Sequence, residues 1–280
     1  MMPQDPFRVD GKIAFVTGAG SAGPGWGNGK ATALVLARHG AQIFGIDRSE
    51  SALAETAAAF AAEGLEKSFT SAVCDVTSGA DLEDAVGRCL TAFGRIDILV
   101  NNVGGSAPGD PVSMGEDLWH QQIDLNLSSA FLACKHVLPI MERQFATDGE
   151  GGAIVNIGSV GSHSFQVDGR VSVAYASAKA GLEAFGRSTA IAWVRHGVRV
   201  NTVVPGVMET PLVEARLVRQ LGSDSAAELI AARHASVPIG RMGDAWDVAH
   251  AVLYLASQAA RYITATSLVV DGGLTAARPG

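Results

Sequence analysis

Tyr175 and Lys179, four residues apart in the run Tyr-Ala-Ser-Ala-Lys, are the pair in this 280-residue sequence best suited to move a proton. Positions i and i+4 of a helix share one face, so the phenol and the ammonium point the same way. A free tyrosine titrates near ~10 and is a poor acid or base at neutral pH, but a cation within a few ångströms favours its phenolate. Taken alone, such a pair is usually surface pairing. Its weight comes from two companions. Ser159 ends an apolar run and can hydrogen-bond a substrate oxygen, and Asn126, in Asp-Leu-Asn-Leu-Ser, can hold a water against Lys179.

A second group of residues suits a phosphate-bearing ligand. Thr17-Gly18-Ala19-Gly20-Ser21 follows the first apolar run, and after residues 22–26 comes Gly27-Asn28-Gly29-Lys30. Glycines there let a pyrophosphate approach the backbone, and a helix opening at Gly29 turns free N–H groups and its positive dipole end toward the phosphates. Asp47 ends the second apolar run, 47 − 27 = 20 residues past Gly27. A carboxylate at that distance can accept both hydroxyls of an adenosine ribose and repels a 2′-phosphate, so NAD is expected over NADP. The adjacent Arg48 works against that preference, since a guanidinium accepts a phosphate. Asp75, in Cys74-Asp75-Val76, suits either an adenine amino group or the cap of the helix that follows. Asn101-Asn102-Val103-Gly104-Gly105 again offers close backbone approach.

The elements that must position these residues alternate along the whole chain. Short β-branched runs at 12–17, 42–47, 68–74, 96–101, 153–157, 198–203 and 267–270 are separated by amphipathic stretches at 30–39, 51–63, 82–92, 128–143, 175–195 and 244–255. Apolar runs of this length without alternation suit strands buried on both faces of a parallel sheet. The expectation is an α/β, single-domain Rossmann fold: a doubly wound parallel β-sheet with helices on both faces. Ligands of such sheets bind beyond the strand C-termini, where every chemistry-bearing residue above falls.

Composition excludes other classes. Net charge is −7, from 21 basic and 28 acidic residues without a like-charge run, which argues against a nucleic-acid surface. Cys74, Cys89 and Cys134 are widely spaced, so neither a disulfide framework nor a thiolate metal site is expected. The first residues carry no apolar run, and no stretch reaches the ~18 apolar residues of a membrane span. A cytoplasmic protein without metal, membrane or nucleic-acid partners is expected.

In their order and spacing these motifs closely resemble the short-chain dehydrogenase/reductase family over essentially the entire chain. The matching pieces are TGAGS…GNG, DV at 75–76, NNVGG at 101–105, Asn126, NIGS ending at Ser159 and YASAK at 175–179. VRVNTVVPG to Gly206, PIGRMGDAWDVA and YITATSLVVDGG follow. The resemblance implies a tetrad of Asn126, Ser159, Tyr175 and Lys179, with Tyr175 exchanging a proton with an alcohol or carbonyl oxygen while nicotinamide exchanges a hydride. It implies that Lys179 binds the nicotinamide ribose, that Pro205, Gly206, Val207 and Thr210 meet the carboxamide end, and that two long helices, 128–143 and 175–195, build a homotetramer. Trp193 suits either that interface or the core. The chain departs from the family at residues 22–26, an insertion in the glycine loop, and at Val103, where alanine is commoner. It departs again in the long segment before Tyr175, carrying His163, Phe165, Asp168 and Arg170.

The expected activity is NAD(H)-dependent interconversion of a secondary alcohol and a ketone, with a helical lid near 207–239. Met208, Leu212, Leu217 and Leu221 there suit a pocket wall or ordinary packing equally. The nearest alternative is an NADPH-dependent 3-oxoacyl-[acyl-carrier-protein] reductase. Asp47 disfavours it, as do Glu209 and Glu214 where an acidic carrier would want a basic rim, although Arg216 and Arg219 partly offset them. A catalytically silent NAD-binding scaffold would have lost Tyr175 or Lys179. A serine hydrolase built on Ser159 and His163 would need Gly-x-Ser-x-Gly, and Ile157-Gly-Ser-Val-Gly161 has its first glycine displaced by one.

Overall fold

The computed structural model describes residues 5–165, 171–211 and 223–277. All seven apolar runs pair into one parallel sheet. Its strands are β1 (Ile13–Thr17), β2 (Gln42–Asp47), β3 (Phe69–Val73), β4 (Ile98–Asn101), β5 (Ala153–Ile157), β6 (Arg199–Pro205) and β9 (Ser267–Val270). The order is β3-β2-β1-β4-β5-β6-β9, with registers such as Thr17↔Ile46 and Asn101↔Asn156. The order reverses direction between β1 and β4, and the crevice beyond that point is where an α/β sheet binds ligands. This is the doubly wound Rossmann-like architecture the sequence predicts.

Burial on both faces explains why the strands read as continuous apolar runs. In β1, Ala14 and Val16 face one core with α1 (Asn28–Arg38), α2 (Glu50–Ala62) and α8 (Ala245–Ala256). Ile13 and Phe15 face the other with α3 (Gly79–Phe93), α5 (Ser129–Asp148) and α6 (Val173–Trp193). Phe15 stacks on Phe44 there, with centroids 5.6 Å apart. Fully burying side chains of this size contributes ~1.5–3 kcal/mol each.

Several boundaries differ from the sequence reading for identifiable reasons. β6 continues to Pro205, whose missing N–H is tolerated because β5 has already ended at Ile157, with Gly158 N donating to Val203 O (2.7 Å). α5 runs past Arg143 through Pro139 and stops at Gly149 in the left-handed conformation (φ 74°). Short, polar α4 (Glu116–Ile123) went unread, as did the π-turn Asp124–Ser128 that follows it and carries Asn126. A two-stranded parallel ribbon joins β7 (Met208–Glu209) to β8 (Gly243–Asp244), and α7 (Ser223–Ser236) lies between them. The carboxylate of Asp244 caps α8, accepting from Trp246 N and Asp247 N. Leu212, Glu214, Arg216, Leu217, Arg219 and Leu221 of the expected lid lie outside the described residues, as do Asp168 and Arg170.

Trp193 packs against its own core and tilts onto His196, with centroids 5.3 Å apart. Arg199 at the start of β6 closes the last turn of α8. Its guanidinium donates to the carbonyls of Leu255 (2.7 Å), Ala256 (3.3 Å) and Ser257 (3.3 Å). Burial pulls its pKa down to about 10, which still leaves it a cation at neutral pH, where a positive charge complements the helix's negative end. Among the described residues no helix is long and apolar enough to cross a membrane.

Candidate active site

A cleft of about 1030 Å³ opens beyond the C-terminal ends of β1 to β4. Gly18, Ser21, Gly27, Asn28 and Gly29 line it from the β1–α1 connection, and Asp47 and Arg48 line it from the end of β2. Asp75 and Val76 follow from β3, Asn102, Val103 and Gly104 from β4, and Thr210 from beyond β6. Pro205, Gly206 and Val207 are not among its lining residues. Their backbone is taken up elsewhere: Gly206 N donates to Val270 O (2.9 Å), and Val207 O accepts from Gly243 N (3.1 Å).

The cleft fits a dinucleotide on three observations. First, α1 begins at Asn28 with Gly27 as an N-cap that offers no side-chain acceptor and with no acidic residue in the first turn, leaving its N–H groups for an anion. Second, Ser21 Oγ and Asn28 Oδ1 are buried polar atoms with no protein partner, and both residues line the cleft. Third, a Cβ on Gly29 would lie 1.9 Å from Gly18 O and 2.5 Å from Asn102 Nδ2, so only glycine lets the helix close on the loop. Asn102 braces that contact, donating through Nδ2 to Thr17 O (3.1 Å) and Gly18 O (3.0 Å).

Asp47 is oriented before any ligand arrives. Its Oδ2 accepts from Gly20 N (3.1 Å) and its Oδ1 from Ser49 N (3.0 Å), which turns the carboxylate into the cleft. Gly20 was read as part of the glycine loop without a role of its own; here it holds Asp47 and lines the cleft. Asp75 does not cap α3, because Ser78 does so through Asp81 N. Asp75 Oδ1 instead accepts from Thr77 N (2.9 Å) and Thr77 Oγ1 (2.7 Å), which hold its carboxyl below the ordinary range, assisted by the charge of Arg48.

The inserted loop has its own anchor. Trp26 packs on Trp246 of α8 with centroids 4.7 Å apart, and Lys30 Nζ lies 4.8 Å above the Trp26 ring. At the loop's tip, a Cβ on Gly23 or Gly25 would meet Pro211 at 3.5 or 3.2 Å, placing the tip against Pro211.

The expected tetrad gathers behind Gly104, which lines the cleft, while Asn126, Ser159, Tyr175 and Lys179 are not themselves among the lining residues. Gly104 marks the meeting point: a Cβ there would lie 2.8 Å from Asn126 Oδ1 and 2.9 Å from Lys179 Nζ. The Lys179 ammonium donates to Ile157 O (2.8 Å) and stands 5.9 Å from the centroid of the Tyr175 ring. Ser159 Oγ and the edge of the Tyr175 ring converge on Gly161, at 3.3 and 3.5 Å from a Cβ placed on it. The Ser159 hydroxyl, the Tyr175 ring and the Lys179 ammonium therefore cluster. The Asn126 carboxamide is engaged with backbone, accepting from Gly105 N (3.0 Å) and donating to Gly105 O (3.1 Å) and Gln122 O (2.9 Å). It fixes the Gly104–Gly105 turn directly and makes no direct bond to Lys179. It also borders a cavity of about 10 Å³, room for one water, lined by the polar residues Thr17, Asn101 and Ser129 and by apolar Val76, Val103, Ala130 and Leu182.

Burial lowers the Lys179 pKa from 10.5 to about 8. The unfolded chain therefore binds the extra proton between those values, and stability should rise as the pH climbs from about 8 towards 10.5. Lys179→Met keeps the length and removes the charge. It should flatten that part of the profile and stabilise the protein at neutral pH by on the order of 1–3 kcal/mol. Urea midpoints across this pH range are the check, and identical slopes for both proteins would contradict it.

The hydrolase alternative fails on geometry. His163 Nε2 lies 2.7 Å from Glu183 Oε1, while Ser159 Oγ accepts from Gly161 N (3.1 Å), so the two residues are not arranged as nucleophile and base.

A parallel sheet with a glycine-loop cleft at its switch point and a Ser-Tyr-Lys cluster behind Gly104 defines a class, and the chain belongs to it: it is a member of the short-chain dehydrogenase/reductase family. A family model described as enoyl-(acyl carrier protein) reductase matches residues 23–275. The 3-oxoacyl-[acyl-carrier-protein] reductase FabG of Escherichia coli is 36% identical over 96% of this chain and 99% of its own. The oxidoreductase UcpA of Salmonella typhimurium is 32% identical over 96% of each chain. Among solved structures, a protein of Burkholderia xenovorans classed as a short-chain dehydrogenase/reductase superposes with a TM-score of 0.88 at 43% identity, covering 97% of this chain and 99% of that one. Levodione reductase superposes at 0.85 and 31% identity, over 97% of this chain and 100% of its own. The chain is thus an oxidoreductase of the nicotinamide-using kind.

Proposed function

We propose that the protein is an NAD(H)-dependent dehydrogenase that interconverts a secondary alcohol and a ketone. The observation that carries this reading is the convergence of Ser159 Oγ and the Tyr175 ring at Gly161, with the Lys179 ammonium 5.9 Å from the ring centroid. Bound nicotinamide supplies or accepts the hydride. Tyr175 gives the proton to the substrate oxygen or takes it away, and Ser159 hydrogen-bonds that oxygen. Lys179 holds positive charge beside the phenol, where it favours the phenolate form. Gly18, Ser21, Gly27, Asn28 and Gly29 would cradle the pyrophosphate, and Asp47 would hold the adenosine ribose. Asp75 and Val76 would border the adenine, with Asn102, Val103, Gly104 and Thr210 along the rest of the dinucleotide. For Pro205, Gly206 and Val207 the proposed carboxamide contact rests on the family resemblance. We take the whole chain as one domain, with the segment 207–239 forming the wall over the substrate. Secondary alcohols offered with NAD, followed by NADH absorbance, test the reading. Binding of NAD without turnover of any of them would favour a silent scaffold.

A second reading is supported by the FabG relatives: reduction of a 3-oxoacyl group on an acyl carrier protein. Faster turnover of a 3-oxoacyl carrier-protein thioester with NADPH than of any secondary alcohol with NAD would select it.

The family resemblance further implies a homotetramer, and the long helices leave apolar side chains uncovered. Phe131 on α5 and Ile191 on α6 are 51% and 68% exposed, followed by Val194 just past the end of α6. Sedimentation should give a tetramer at micromolar concentration, and a monomer would contradict this assignment.

A further inference from the structure

One turn beyond Lys179 on the same face of α6, a carboxylate is buried that none of the chemistry above employs. The Glu183 side chain is 5% exposed, at i+4 from Lys179 and i+8 from Tyr175. Burying a carboxylate is costly unless hydrogen-bond donors compensate it. Here they come from two other elements. Oε1 accepts from Ser162 Oγ (2.7 Å) and lies 2.7 Å from His163 Nε2, while Oε2 accepts from Ser267 Oγ (2.8 Å) on β9. Arg187 Nη1 stands 3.9 Å from Oε2. Burial opposes ionisation, and the bonds from Ser162, Ser267 and His163 together outweigh it, so the carboxyl stays below its ordinary pKa.

Two of these donors sit on the turn that presents Ser159. The Ser162 hydroxyl also lies 2.6 Å from Ser159 O, its single proton shared between that carbonyl and Glu183. Within the turn, Gly161 N donates to Ser159 Oγ (3.1 Å), Ser162 N to Ser159 O (3.1 Å) and His163 N to Val160 O (2.9 Å). Glu183 therefore sits on the same rigid helix as Tyr175 and grips the segment that carries Ser159. Among the described residues, no backbone hydrogen bond joins this turn to α6.

We propose that Glu183 is a positioning residue that clamps the turn 159–163 to α6 and β9 and thereby sets the distance between the Ser159 hydroxyl and the Tyr175 phenol. The clamp is a statement about this chain's own structure, while its effect on rate rests on the alcohol–ketone reading above.

The experiment has two arms on the full-length protein. In the first, native-state amide exchange is compared for wild type, Glu183→Ala and Glu183→Gln without added ligand. In Glu183→Ala the amides of Gly161, Ser162 and His163 should exchange at least about tenfold faster while those of β4 and β5 are unchanged, because only the turn has lost its anchor. Glu183→Gln keeps an oxygen for Ser162 and should restore most of the protection. If Glu183→Ala fails to fold, the pair Ser162→Ala and His163→Ala removes both contacts from the turn while leaving the carboxylate bonded by Ser267, and the same local increase is expected. Unchanged exchange at these three amides in a folded variant would overturn the proposal, as would a uniform increase across the sheet.

The second arm is kinetic. Glu183→Ala should lower kcat by about tenfold or more with the cofactor Kd unchanged, and should lower it no further in a Ser159→Ala background, since both changes act on one hydroxyl. Equal losses in both backgrounds would overturn the link to Ser159. If no variant, wild type included, turns over an alcohol, the functional reading has failed, and the exchange arm still decides the clamp.

Discussion

Tyr175→Phe should lower turnover by about 10²–10⁴ while leaving cofactor affinity nearly unchanged. The substitution removes one oxygen and keeps the ring, which packs beside Gly161 and within 5.9 Å of the Lys179 ammonium. What disappears is the group that exchanges a proton with the substrate oxygen. Ser159 can still donate a hydrogen bond to that oxygen, but its hydroxyl is too weak an acid to replace the phenol. The measurement pairs steady-state kcat with NADH binding followed by fluorescence. Retention of near-wild-type kcat would show that Tyr175 is not the acid–base group. Alcohol oxidation by the wild type should also accelerate with rising pH, because the phenolate is the base in that direction.

The second large effect concerns cofactor choice. Asp47 is held at the end of β2 by the amides of Gly20 and Ser49, so its carboxylate is fixed in the cleft. Hydrogen bonds from ribose hydroxyls to a charged acceptor are worth ~1.5–3 kcal/mol. A 2′-phosphate in the same place removes those bonds and brings a charge near ~−2 against the carboxylate. NAD should therefore be preferred by at least about 10² in kcat/KM. Asp47→Ser should narrow the gap mainly by improving NADP, because exposed Arg48 is then free to pair with the phosphate. Equal efficiency with both cofactors in the wild type would mean that Arg48, and not Asp47, governs the pocket.

Both predictions use residues that were legible in the sequence, and the reason is physical. Strands buried on both faces leave unbroken apolar runs, so each residue at the end of one, such as Asp47 or Ser159, was already located at the ligand edge of the sheet. The i, i+4 spacing of Tyr175 and Lys179 likewise survives directly as a shared helix face. Contacts made by folding were not legible. Asn102 was read as part of a backbone-approach segment, but its side chain braces the glycine loop across 84 residues. Asn126 was read for a water held against Lys179, whereas its hold on Gly105 was not foreseen, because it sits in a π-turn after a helix too short and polar to show periodicity. Glu183 and His163 meet 20 residues apart in sequence, on two elements whose spacing only the tertiary structure sets. The insertion at residues 22–26 was visible as a departure, whereas its seat on Trp246 required the packing of α1 on α8.

The central claim, hydride exchange with a secondary alcohol at a site where Tyr175 handles the proton, is tested most directly by an isotope label. A secondary alcohol carrying deuterium on its carbinol carbon is incubated with NAD and the wild-type protein, and the reduced cofactor is analysed by mass spectrometry. The account predicts reduced cofactor one mass unit heavier with wild type and none above background with Tyr175→Phe. Unlabelled reduced cofactor, or equal label with both proteins, would contradict it.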